Sequence, residues 1–138
     1  GDLFLNSLEL CSMSPSSLVV GRDTLNRAGR FDETLPVCED YDLFLRLTCR
    51  YRVAYLDAKL VVKYGGHRDQ LSRRYQAMDQ FRVRAIAKLL EVGALDDTQK
   101  QAAVNTLLRK ARIVFDGATK RNNRQLATSM QKYIDGWG

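Results

Sequence analysis

Residues 29–47 read G-R-F-D-E-T-L-P-V-C-E-D-Y-D-L-F-L-R-L. Four carboxylates, Asp32, Glu33, Glu39 and Asp40, surround one Pro-containing turn, and Asp42 joins them as an amphipathic pattern begins. Leu43, Phe44 and Leu47 recur at helical spacing, which predicts a helix from Glu39 to about Cys49 with one inward stripe. Acidic side chains in the first turn of such a helix offset the partial positive charge of its N–H groups by roughly 0.3–1 kcal/mol each, so capping alone explains part of the cluster. The remaining density of like charge points to a site that needs a carboxylate base or receives a cation.

Working outward, residues 17–20 form a brief apolar run that predicts a strand, and residues 23–28 predict a helix. Downstream, residues 52–56 and 59–64 are rich in Val and Tyr and read as two further strands joined by a turn at Asp57-Ala58. From about Leu71 the pattern turns wholly helical. Met78, Phe81, Ala85, Ile86 and Leu89 fall on one stripe, Gly93 ends it, and Asp96-Asp97-Thr98-Gln99 supplies capping chemistry for a second helix. That helix presents Val104, Leu107, Leu108, Ala111, Val114 and Phe115, residues 117–123 predict a break, and Leu126, Met130, Tyr133 and Ile134 mark a last helix. Three amphipathic helices with short connections are expected to pack as a bundle. The expected division is residues 1–74 and residues 75–138.

Read in order from Ser16 to Leu47, the run S-S-L-V-V-G-R-D-T-L-N-R-A-G-R-F-D-E-x-L-x-x-x-E-D-Y-D-L-x-L-R-L resembles the acceptor half of family 2 glycosyltransferases, and the likeness extends over residues 12–75. The resemblance implies an α+β fold, predominantly helical with few short strands: the C-terminal part of the A-type glycosyltransferase fold, followed by a three-helix extension. It implies an inverting transfer from a nucleotide sugar to the hydroxyl of a glycan, lipid or protein acceptor. In such an in-line displacement the attacking hydroxyl must lose its proton, which requires a base within hydrogen-bond reach. That role falls on Asp40, with Glu39 positioning the acceptor or the helix, and with Asp32 of the preceding turn as a substrate-binding candidate.

A second group of candidates lies at Y-G-G-H-R-D-Q-L-S-R-R, residues 64–74. His67 is the only histidine, and the resemblance implies that it completes a divalent metal site, Mg or Mn, held mostly by an Asp-x-Asp motif in a nucleotide-binding half. A lone His on a Gly-rich loop is otherwise an ordinary surface residue. Gln70, Arg73 and Arg74 look like the Gln-x-x-Arg-Trp segment that meets the departing diphosphate in processive members. Arg74 stands where those have Trp, which argues against polymer synthesis. An arginine fork on a diphosphate remains sound chemistry at Arg73; the other reading is surface charge at a helix start. The nucleotide-binding alternation of strands and helices that would end in Asp-x-Asp does not occur in these 138 residues, where that spacing falls only at Asp40-Tyr41-Asp42, in the acceptor-side run itself. The expectation is therefore a C-terminal piece of a longer transferase, inactive alone.

Composition narrows the alternatives. Three cysteines, Cys11, Cys38 and Cys49, without Cys-x-x-Cys spacing, indicate neither a disulfide framework nor a zinc site. No apolar run approaches a membrane span and no signal-peptide pattern opens the chain, so a cytoplasmic protein is expected, with a peripheral place at the inner membrane face as the alternative. Residues 1–70 carry nine Lys or Arg against ten Asp or Glu, the remainder thirteen against six, so the net charge of +6 resides in the second part. Its cations could meet anionic lipid headgroups through phosphate attraction. Nucleic acid fits less well, because aromatics are not interleaved with the cations as on a single-strand binding surface. The competing class is a noncatalytic helical interaction or membrane-surface module that keeps a remnant of the transferase pattern.

Overall fold

The structure, a computed structural model, describes residues 1–62, 64, 75 and 77–138. The chain divides into two compact units, Gly1–Gln76 and Ala77–Gly138.

In the first unit, helix α1 spans Phe4–Glu9, a 3-10 turn spans Pro15–Ser17, α2 spans Arg22–Ala28 and α3 spans Glu39–Thr48. Helices of six and seven residues are too short to hold themselves in water, so α1 and α2 persist by packing on α3. Phe4 and Leu8 of α1 are buried, and the Tyr41 hydroxyl donates to the Leu8 carbonyl at 2.7 Å. On α3, Leu43, Phe44 and Leu47 join Ala28 in a core that Cys11, Met13, Leu18, Val20, Leu25 and Tyr51 close over. The three residues predicted to turn inward are buried, but Tyr41, Asp42, Leu45 and Thr48 are buried as well, so α3 is covered on more than the one stripe expected.

The expected α+β architecture is overturned. Every regular element among the described residues is a helix, and none is a strand. Pro15 starts a 3-10 turn that draws the Leu18 N–H back to the Pro15 carbonyl, and Val19 is 98% exposed, so the run predicted as the first strand has no sheet to enter. In residues 52–56, Val53 exchanges backbone hydrogen bonds with Gly1. Ala58 and Leu60 turn their N–H groups to the carbonyls of Leu56 and Ala58, which coils the chain where a straight second strand was expected. Val and Tyr suit a pleated, half-buried surface, and that preference is realised only beside a partner edge. Without one, Tyr55, Leu56, Leu60, Val62 and Tyr64 stay exposed. The described chain is thus a small helical protein rather than an α+β transferase fragment.

In the second unit α4 spans Asp79–Val92, α5 spans Asp97–Lys120 and α6 spans Arg124–Trp137. Gly93 ends α4 in the left-handed conformation, with φ +68° and its N–H on the Leu90 carbonyl. The predicted capping chemistry forms a reciprocal box: the Gln99 N–H donates to Asp96 at 2.8 Å, and the Asp96 N–H donates to the Gln99 side chain at 3.2 Å. Val83, Ile86, Leu89, Leu107, Ala111, Val114 and Met130 are among the buried positions of these helices.

The break expected from Gly117 comes three residues later, after Lys120. A Cβ at position 117 would lie 2.8 Å from the Arg121 guanidinium, so this glycine makes room for an arginine folding back on its own helix. Asn122, at φ +56°, and Asn123, whose side chain accepts from the Leu126 N–H, make the actual turn.

Candidate active site at the start of α3

Three features fix how α3 begins. Cys38, buried and left-handed at φ +63°, turns the chain sharply into the helix, and its side chain caps nothing. The first helical bond runs from the Asp42 N–H to the Cys38 carbonyl at 3.0 Å. Glu39, Asp40 and Asp42 therefore supply the negative charge that an uncapped N-terminus favours.

The three carboxylates do different work. Asp42 is 1% exposed, and its Oδ2 accepts from Arg46 through Nε at 3.0 Å and Nη2 at 2.7 Å, one helical turn on. The same guanidinium donates to the carbonyls of Ala28 and Arg30, so it ties the Gly29 turn to α3. Asp42 is a structural partner rather than part of a reactive cluster. Arg46 escaped the sequence reading, although its spacing of four from Asp42 carries the signal.

Asp32 is also engaged locally: its Oδ1 accepts from the Thr34 N–H at 3.0 Å and the Thr34 hydroxyl at 2.7 Å, while the Leu35 N–H reaches the Asp32 carbonyl at 3.1 Å. This is an Asx turn, and it gives Asp32 a shaping role in the loop that leads to α3. Glu39 and Asp40 occupy the first turn itself, both half-buried.

Asp40 is held on both oxygens. Oδ1 accepts from the Tyr41 N–H at 2.7 Å, and Oδ2 accepts from the Cys11 thiol at 3.4 Å. A carboxylate offers about four lone-pair positions, so two such bonds orient it and leave it able to take a proton. Cys11, which the sequence marks for neither a disulfide nor a zinc site, proves to be a neighbour of Asp40 across 29 residues of chain. Nothing in the spacing of these residues could reveal that contact.

His67, Gln70, Arg73 and Arg74 lie outside the described residues. Among the described residues no group of three or more His, Cys, Asp or Glu could hold a metal ion. No described helix is long and apolar enough to cross a membrane. Compared with protein-family models, with curated proteins and with solved structures, the chain matches none.

Proposed function

We propose that this chain supplies the acceptor-side carboxylate of a nucleotide-sugar-dependent, inverting glycosyltransferase, with Asp40 as the general base and Glu39 beside it positioning the acceptor. The observation that carries the reading is Asp40 itself: a half-buried carboxylate at a helix start, oriented through both oxygens, within the Gly-Arg-Phe-Asp-Glu to Glu-Asp-Tyr-Asp run that resembles the family. An acceptor hydroxyl that reaches Asp40 loses its proton there as it attacks the anomeric carbon, and the nucleoside diphosphate departs from the opposite face. A divalent cation and His67, Gln70, Arg73 and Arg74 would serve the leaving diphosphate, whose growing charge calls for cationic partners. The donor, and most of the metal ligands, belong to a nucleotide-binding part carrying Asp-x-Asp.

The test is Asp40→Asn in the complete transferase. The amide keeps the shape and cannot accept the proton. Turnover is expected to fall roughly 100-fold to 10,000-fold with nucleotide-sugar affinity nearly unchanged, and the 138-residue chain alone is expected to transfer no sugar. A variant with normal turnover places the base elsewhere, Glu39 first.

A second reading has its own observation. Arg112, Lys120, Arg121, Arg124 and Lys132 are exposed on the second unit, which supports a helical module that lies against an anionic membrane surface, at the cytoplasmic face, without catalysis.

A further inference from the structure

Cys11 belongs to neither α1 nor the 3-10 turn, yet it is tethered from both sides. The Leu10 N–H closes α1 on the Asn6 carbonyl at 3.2 Å, and the Ser7 and Ser12 hydroxyls meet at 3.2 Å across the residue. Tyr41, the residue after Asp40, reaches back to the Leu8 carbonyl at 2.7 Å. The Cys11 side chain also packs on the core of Ala28, Leu43, Phe44 and Leu47. Its sulfur is thus placed by packing and by the α1 to α3 hydrogen bond, not by the carboxylate that it faces.

The thiol has a choice of acceptors, Asp40 Oδ2 at 3.4 Å and the Met13 carbonyl at 3.6 Å. It has one hydrogen to give. A charged acceptor makes the stronger bond, so the carboxylate takes it. A thiol is a weak donor, and this suits a base: the bond aims the carboxylate while drawing little charge from it.

We propose that Cys11 is a positioning residue for Asp40, its thiol holding the carboxylate in the orientation from which it accepts the proton of the acceptor hydroxyl. The proposal rests on the transferase reading of Asp40. The pairing of the two side chains can be tested without it.

The first measurement is the alkylation rate of each cysteine by iodoacetamide at pH 8, followed by mass spectrometry, in the 138-residue chain and its Asp40→Asn variant. Removing the charge, and the acceptor that retains the proton on sulfur, favours the thiolate. Cys11 is expected to react several-fold faster in the variant. Cys49 is the internal reference, at the far end of α3, where burial pushes its thiol up and Arg50 and Arg46 offset this in part. Cys38, 6% exposed, reports whether the variant stays folded. Equal Cys11 rates in two folded proteins overturn the pairing and leave the transferase reading standing.

The second measurement takes Cys11→Ala and Cys11→Ser in the complete transferase. Alanine is expected to lower kcat roughly three- to tenfold, the worth of one modest hydrogen bond, with KM for the nucleotide sugar unchanged, and serine to restore part of the loss. Loss of packing alone would not be rescued in that way, and a normal kcat for Cys11→Ala overturns the role. Transfer that Asp40→Asn leaves intact overturns Asp40 as the base, and the role of Cys11 with it, even where the alkylation rates respond.

Discussion

Gly29 shows how much one residue of the opening motif is bound by backbone geometry. At φ +83° and ψ 162° it occupies a region that is nearly closed to any residue with a Cβ. A Cβ there would also sit 3.0 Å from the Arg46 Nη1, which donates to the Ala28 carbonyl. Gly29→Ala is therefore expected to destabilise the first unit by about 1–3 kcal/mol, read as a lower urea midpoint. An unchanged midpoint would mean that the turn does not depend on this conformation. The glycine was legible in the sequence as part of the Gly-Arg-Phe-Asp-Glu run; its reason was not, because the crowding atom arrives from α3. Asp42 teaches the converse. Counted with Asp40 it looked like one more charge in a reactive cluster, and only its burial against Arg46 separates the two.

Between elements, Asp79 joins α4 to α5. Its Oδ1 accepts from Arg82 at 2.8 Å within α4 and from Lys110 of α5 at 3.3 Å, where Lys110 is only 5% exposed. Burial by itself raises the Asp79 carboxyl, but the Arg82 hydrogen bond, together with the charge and hydrogen bond of Lys110, outweighs it, and the pKa lies below the ordinary value. A group with a depressed folded pKa stabilises the fold above its unfolded pKa, about 3.9 for Asp, and loses that contribution as pH falls through the folded value. The wild-type chain should thus melt higher than Asp79→Asn at pH 7, with the gap closing as pH drops from about 5 towards 2. Thermal melts followed by circular dichroism check this, and a gap that is constant with pH contradicts it. The three helices here were readable because their signals are local: the Asp96-Gln99 box and the Gly93 stop each act within one turn.

For the molecule as a whole, the charge imbalance offers a test of the membrane reading. Each Lys or Arg near an anionic surface contributes about 1 kcal/mol, and salt screens it. Phosphatidylserine-containing vesicles should sediment the chain at low salt, release it as salt rises, and fail to capture a variant with Lys120, Arg121 and Arg124 changed to Glu. Phosphatidylcholine vesicles should not bind it. Absence of binding to the anionic vesicles at low salt removes that reading and leaves the exposed cations as a solvated surface.

Within the chain, what the sequence determined is what neighbours along the backbone can settle: where α3 begins, how α4 stops and how α5 is capped. Hydrophobic period and capping chemistry are complete within a few residues, so no tertiary partner is needed to read them. What only the tertiary structure decided is anything that needs a partner from elsewhere in the chain. Residues 52–56 carry strand composition, but the bonds of Val53 to Gly1 are not the whole edge that a strand needs. Asp40 was recognisable as a candidate from its motif, whereas the thiol that orients it lies 29 residues away. Neither contact has any local signature, because each is made by packing that brings distant parts of the chain to one place.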